Sequence, residues 1–441
     1  MTCITNGLSG LLFASFEMLR RLAGDGHQIT YMAPASAKDA VLGEGMPFEE
    51  LPDFETDAET AMSSLAARLK ALEPDLVLID TELPEAVLSS HAAGLNTVLL
   101  STWMSIWKHP GLPPLHLPIQ PGVGFLGSKL GMNLAWLWHL KTRRLMDALR
   151  QLRHGRRYRV AAMRAFAREI GFPHRKEFDF DNWLLPFSFR TLPILVLHAE
   201  AFEFPHTPRD HVHYVGPMVN PARAERPSDL DDQARIDESL ARQEEGRSRL
   251  VFGGFGASVT ADSALLETIF KAFAGRPDWE LVVPLGDRKP AIEKLAPPAN
   301  VHVVSWASQL TLLKRADAAI VHGGINTIDE CIHFGTPMLA YSGGIIDMHG
   351  NVARIVHHGI GAEGDGHRDR PEVIAERLDR LISDPNVKAQ LRKQRAAADR
   401  YIDERVLERT IDRFLNGDLG RSTKPLTSAR AALPRAAASM L

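Results

Sequence analysis

The residues best suited to chemistry are Val321-His322-Gly323-Gly324-Ile325-Asn326-Thr327-Ile328-Asp329-Glu330. The apolar run Ala318-Ala319-Ile320-Val321 predicts a strand that ends on the histidine. Two glycines follow, and then a helix that runs to Phe334 and stops at Gly335-Thr336-Pro337. Paired glycines let the backbone approach a ligand closely, and the free N–H groups at a helix start favour an anion. A histidine at the strand tip can donate to the same anion. Thr327 and Glu330, three residues apart, share one helix face. Such a loop suits a diphosphate, with a carboxylate one turn further in for sugar hydroxyls. An ordinary strand-to-helix turn is the competing interpretation of this segment alone.

The flanking residues narrow the choice. Upstream stand Ser305-Trp306-Ala307-Ser308-Gln309 and Leu312-Leu313-Lys314-Arg315-Ala316-Asp317. Downstream come Gly335-Thr336-Pro337-Met338, Asp347-Met348-His349-Gly350-Asn351 and His358-Gly359-Ile360-Gly361. The combination Trp-x-x-Gln, His-Gly-Gly-x-x-Thr-x-x-Glu and Gly-x-Pro is far more specific than its parts. In order and spacing it resembles the donor-binding signature of the nucleotide-sugar glycosyltransferases that include the UDP-glycosyltransferases and the macrolide glycosyltransferases. The resemblance is strong over about residues 249–365. In the first half it rests only on Asp25-Gly26-His27-Gln28-Ile29 and on Val215-Gly216-Pro217.

The resemblance implies a role for each matching residue. Trp306 would stack on the uracil or thymine, and Gln309 would sit near the base or ribose. His322, Gly323, Gly324, Asn326 and Thr327 would hold the diphosphate, and Glu330 would bond the ribose hydroxyls. Asp347 would contact the donor sugar; by position alone it also fits a helix N-cap. The loop Gly253-Gly254-Phe255-Gly256-Ala257-Ser258 corresponds to the family's first donor loop, where Gly254 and Ser258 could reach the phosphates. Two residues depart from the pattern. Met348 stands where many members carry a glutamine that helps recognise glucose, and a thioether makes no strong hydrogen bond. Leu11 stands where the family has its catalytic histidine, and no histidine precedes His27.

A replacement base is therefore needed. Leu76-Val77-Leu78-Ile79-Asp80 predicts a buried strand ending in a carboxylate, followed by Thr81 and Glu82. Carboxylates at the carboxyl end of such a strand face the cleft, and burial raises their pKa toward that of a working base. Asp80 and Glu82 are the candidates; Asp80 as cap of a helix near Leu83-Pro84 is the alternative. His109 and His116, in a Pro-rich loop, are further candidates.

These residues need a scaffold. The chain has 441 residues, 45% hydrophobic and 24% charged, enough for two globular domains. Strands Gln28–Met32, Leu76–Asp80 and Asn96–Leu100 alternate with helices such as Ala58–Leu72, which predicts a parallel sheet covered on both faces. The fold class expected is α/β: two facing Rossmann-like, doubly wound domains of GT-B type with a cleft between them. Residues 1–217 form the acceptor domain, with a helical and loop insertion at about 103–190. Residues 218–232 are the linker, and 233–416 the donor domain, its last helix crossing back onto the first. Residues 417–441 are expected to be a disordered tail.

The formal charge of −3 gives no preference for nucleic acid. Cys3 and Cys331 cannot build a disulfide framework, which suits a reducing compartment. With no secretory pattern and no apolar membrane-spanning run, a cytoplasmic protein is expected. Residues 133–164 place Trp136 and Trp138 among leucines, then a run of arginines, which suits peripheral contact with the inner face of an anionic membrane or, equally, a solvated basic helix. The activity implied is inverting transfer of a hexose from a UDP- or dTDP-sugar to a hydroxyl of a small, lipophilic acceptor. The nucleotide sugar is a co-substrate; no cofactor and no metal site are expected. The alternatives are a catalytically silent nucleotide-sugar-binding subunit and a nucleotide-sugar epimerase.

Overall fold

The computed structural model describes residues 1–155, 158–183, 185–223, 228–255 and 263–418. Two parallel sheets organise it. The first contains β1 (Thr2–Ile4), β2 (Thr30–Ala33), β3 (Phe48–Glu50), β4 (Val77–Asp80) and β5 (Thr97–Ser101). After a small antiparallel hairpin, β6 (Phe178–Asp179) and β7 (Ser188–Phe189), it is completed by β8 (Ile194–Val196) and β9 (Val212–Tyr214). The order is β3-β2-β1-β4-β5-β8-β9. The second contains β10 (Arg249–Gly254), β11 (Trp279–Pro284), β12 (Val301–Val304), β13 (Ala318–Val321), β14 (Met338–Ala340) and β15 (Gly361–Glu363), in the order β12-β11-β10-β13-β14-β15.

Strand order reverses direction between β1 and β4 in the first sheet and between β10 and β13 in the second. At such a switch point the helices leave to opposite faces and a crevice opens beyond the carboxyl ends of the strands. Asn6 and Asp80 lie beyond or at the ends of β1 and β4, and Gly254 and His322 at those of β10 and β13. Both sets of candidate residues thus occupy the crevices of their sheets.

The boundaries between the two halves depart from expectation in one place. Residues 218–232 were expected to be a connector, but the helix Leu230–Glu244 already includes Asp231 and Asp232, with Asp229 as its N-cap. Asp232 is fully buried, bonded to the Ser305 N–H at 2.6 Å and to Lys289 at 2.5 Å, so it belongs to the second lobe's structure. The last helix, Val406–Leu415, buries Leu407, Ile411 and Phe414 in one cluster with Leu11, Leu12 and Leu19 of the first lobe. Arg21 grips Glu408 with two hydrogen bonds at 2.9 and 3.0 Å.

Two buried charge pairs join the lobes. Arg354, on the helix Met348–His357, donates to Glu203, with its Nε at 2.8 Å. Glu203 also accepts from the backbone N–H groups of Ser105 at 3.0 Å and Phe204 at 2.8 Å. Nearby, His198 presents Nδ1 to the Asp329 carboxylate at 2.6 Å and Nε2 to the Thr102 carbonyl at 2.7 Å. Both ring nitrogens face acceptors, so both carry protons. Burial alone would lower the His198 pKa, but the Asp329 charge and hydrogen bond outweigh it and the net direction is upward. Glu203→Ala leaves Arg354 buried without its partner. It should lower the unfolding free energy by about 3–5 kcal/mol in urea titration, and a loss below about 1 kcal/mol would remove this pair from the account of interdomain stability.

Candidate active site

In the first lobe the loop after β1 and the loop after β4 are tied together. Asp80 accepts the Asn6 N–H at 3.2 Å and the Glu82 N–H at 2.9 Å, while the Asn6 side-chain amide donates to Glu82 at 3.0 Å. The other Glu82 oxygen accepts the Trp103 indole N–H at 3.1 Å. Burial first, and then the charge of Glu82, push the Asp80 pKa up to about 7. Burial also raises that of Glu82, against the opposing pull of Trp103, Asn6 and Arg159. The two carboxyls therefore titrate as a pair.

Their positions separate their roles. Asp80 is buried, with both oxygens held by backbone N–H groups, so it cannot touch an acceptor as a direct base; it positions the two loops. Nor does it cap the next helix, Pro84–Ala92, whose N-cap is Leu83 with no side-chain bond. Glu82 is only partly buried. With Asn6, Leu51, Phe54, Leu83 and Arg159 it lines a cavity of about 1100 Å3, whose rim also carries Glu50, Asp53 and Glu55. Leu11, at the family's histidine position, is buried in the apolar cluster beneath the first helix, Ser9–Gly24. His109 is spent on the carbonyls of Pro110 and Thr207 at 2.7 and 2.8 Å. His116 stacks on Trp183 with centroids 5.6 Å apart and lies 4.5 Å from His139; burial, then His139 and His349, hold its pKa down to about 4.

In the second lobe His322 lies at the tip of β13, buried, with Nδ1 2.8 Å from the Gly254 carbonyl. A carbonyl only accepts, so Nδ1 holds the proton, and burial lowers the pKa. The other nitrogen, Nε2, therefore presents a lone pair beside Gly324, where a Cβ would sit 2.5 Å from it, so in this state His322 accepts and does not donate to an anion as its position in the sequence suggested. Gly323 has φ +91, which strains any other residue. The helix Ile325–Phe334 begins at Gly324 with no side-chain cap, leaving its first N–H groups for a ligand.

Around this mouth stand the remaining candidates. Ser308 caps the helix Gln309–Arg315 through the Thr311 N–H, and this places Gln309 so that its amide reaches Thr327 at 3.3 Å and also bonds Glu330. Glu330 is buried and also meets Arg223 of the interdomain connection at 3.3 Å. Trp306 is 42% exposed, beyond the end of β12. Asp347 holds the N-cap position of its helix but makes no capping bond; it accepts instead from Asn351 at 2.6 Å, and burial raises its pKa to about 6. Ser258 lies outside the described residues. Among the described residues no group of three His, Cys, Asp or Glu is arranged to hold a metal ion.

The two lobes meet at the two helix mouths. Asn326 donates to the Gly10 carbonyl at 2.7 Å, so the glycine-loop helix abuts the first turn of the helix Ser9–Gly24. On the other side of the cleft a Cβ on Gly350 would lie 1.9 Å from the Leu115 carbonyl, which brings His116 next to the loop of Asp347 and His349. Sequence reasoning missed Asn6, Trp103, Trp183 and Arg223. The Asn6-Gly7 step at the end of β1 was a usable signal for the first; the others are brought in by packing alone.

Two doubly wound lobes facing across a cleft, each presenting its switch point, make the GT-B fold. Residues 269–404 match the family model for the erythromycin biosynthesis protein CIII-like, C-terminal domain. The chain is 25% identical over 401 residues to the oleandomycin glycosyltransferase of Streptomyces antibioticus, covering 87% of this chain and 83% of that one. It is 24% identical over 329 residues to the zeaxanthin glucosyltransferase of Pseudescherichia vulneris, covering 74% and 70%. In structure it is similar to the glycosyltransferase of kitacinnamycin, with TM-score 0.67, 22% identity and coverage of 94% and 98%. The family match over the second lobe and these relatives support a glycosyltransferase of the macrolide and UDP-glycosyltransferase type. The silent-subunit and epimerase alternatives gain no support from these relatives.

Gly324→Ala should push the His322 ring off the Gly254 carbonyl. The expected result is at least about a tenfold weaker affinity for UDP or dTDP by calorimetry, with the melting temperature kept. An unchanged affinity would detach His322 from nucleotide binding.

Proposed function

We propose that this chain is an inverting, metal-independent hexosyltransferase that moves a hexose from a UDP- or dTDP-sugar to a hydroxyl of a small, lipophilic acceptor in the cytoplasm. The observation that carries this is the meeting of the two helix mouths, where Asn326, beside the glycine loop, bonds the Gly10 carbonyl in the first turn of the helix that follows the Asn6 loop. The oleandomycin and zeaxanthin transferases, named for small natural products, support a small-molecule acceptor.

In this reading the diphosphate lies at the mouth of the helix Ile325–Phe334, beside Gly323 and Gly324, on the backbone N–H groups of Asn326 and Thr327, while His322 braces the loop through the Gly254 carbonyl. Glu330 turns to the ribose and Trp306 to the base. Asp347 faces the hexose. The acceptor occupies the cavity lined by Glu82, between Leu51, Phe54 and Leu83. Glu82 takes the proton of the acceptor hydroxyl as its oxygen attacks the anomeric carbon from the side opposite the diphosphate. The new carbon–oxygen bond forms as the bond to the diphosphate breaks, its electron pair leaves on the phosphate oxygen, and the configuration inverts. The backbone N–H groups of the helix mouth stabilise the leaving charge, which is work that a metal ion does in other transferases.

Glu82→Gln removes the base while leaving the second lobe untouched. Turnover should fall at least about a hundredfold with nucleotide affinity unchanged, and EDTA should not alter the wild-type rate. Equal losses in turnover and affinity would count against the assignment. The pH dependence follows from the raised pair. Glu82 must be ionised to act as base, and burial raises its pKa, so kcat/KM should rise with pH as Glu82 loses its proton and then level. Asp80→Asn removes a neighbouring negative charge and should move that limb to lower pH; a limb that stays in place would show that Asp80 does not set it.

A further inference from the structure

The helix Lys129–His154 is packed only along its first half. Its 26 residues extend about 39 Å. Gly131, Met132, Trp136 and Leu140 are buried, but from Lys141 to the helix end no residue is. Leu134, Leu137, Trp138, Leu145, Leu149 and Leu152 are all exposed, Trp138 at 76% and Leu152 at 83%. Their spacings of three and four put them on one face, a continuous apolar stripe along the projecting helix. Phe125 and Leu126, in the loop that leads into the helix, are also exposed.

Charge around this stripe has one sign. Lys141 lies within it and Arg144 and Arg153 border it; all three are exposed, and Lys141 and Arg153 have no ion-pair partner among the described residues. Arg144 meets Asp181 at 2.7 Å, a pair open to solvent on both sides. The helix's single acid, Asp147, is two residues from both Leu145 and Leu149 and so points to the opposite face, where Tyr158 and Arg150 engage it. A second copy docked on this face would set cations against cations. Leucines and an indole edged by cations instead fit acyl chains below and anionic headgroups around them.

We propose that this face docks the protein on an anionic lipid bilayer, with the apolar stripe at the acyl boundary and Lys141, Arg144 and Arg153 on the headgroups. This inference does not rest on glycosyl transfer, and it fails or stands separately from it.

The test is flotation of the full chain with phosphatidylcholine vesicles, with and without about one third phosphatidylglycerol. The protein should rise with the anionic vesicles only and be released at about 0.5 M salt. A Trp138→Ser, Leu145→Ser, Leu149→Ser variant and a Lys141→Glu, Arg153→Glu variant should each lower the bound fraction at least about tenfold. Their melting temperatures and nucleotide affinities should match the wild type, because all five positions are exposed and distant in sequence from the donor loop. Absence of flotation, equal binding to neutral vesicles, or variants that float like the wild type would each overturn the proposal. So would light scattering that shows a dimer dissociated by the serine variant, which would assign the stripe to a second copy.

Discussion

Two sets of buried charges hold the cleft in its present width. Glu203 and Arg354 sit at an interface from which water is excluded, and so do His198 and Asp329. Isolated, any of these charges would be costly to bury; paired and saturated with hydrogen bonds, they are tolerated only in a narrow geometry. The geometry therefore dictates where the lobes stop. Asp329 is one residue from Glu330 and two from Thr327, so the His198 bond fixes the helix whose first turn presents the candidate diphosphate loop. Glu203 does the same for the helix that starts at Asp347. Interdomain electrostatics and the placement of the donor residues are one structural fact.

That arrangement explains how the chain can lack the family's loop histidine without losing the surroundings of a base. Leu11 turns into the core, and the proposed base is instead a carboxylate on the loop after β4, at the wall of a first-lobe cavity. Asp80 stays buried and holds both loops through backbone bonds, while Glu82 is gripped by an amide and an indole and left at the cavity wall. A carboxylate is intrinsically a weaker base than imidazole. Burial raises the Glu82 pKa, and burial with the adjacent Glu82 charge raises that of Asp80.

The legible parts of this structure are those where one physical demand acts on consecutive residues. β4 and β13 are buried along their whole length by helices on both faces, so their sequences are uninterrupted apolar runs and their ends could be placed within a residue. Gln309, Thr327 and Glu330, which the structure brings together, were legible for a similar reason: one short stretch of chain carries all three. Edge strands Phe48–Glu50 and Gly361–Glu363 are three residues each and partly exposed, so no pattern announces them. The wall of Trp103, Trp183, His116 and His139 comes from segments up to eighty residues apart in the insertion, and Arg223 reaches Glu330 across more than a hundred. Contacts of that range leave no local periodicity.

The close approach of Gly350 to the Leu115 carbonyl constrains how such lobes can be exchanged. A hybrid that joined this first lobe to the second lobe of a relative would inherit a seam with no room for a methyl group at that point. It would also need an arginine one turn on to meet Glu203, and an aspartate opposite His198. Compatibility between halves is thus written in three residues at the hinge-side surfaces, none of which touches a sugar, and a graft chosen by substrate preference alone would assemble with its cleft ajar.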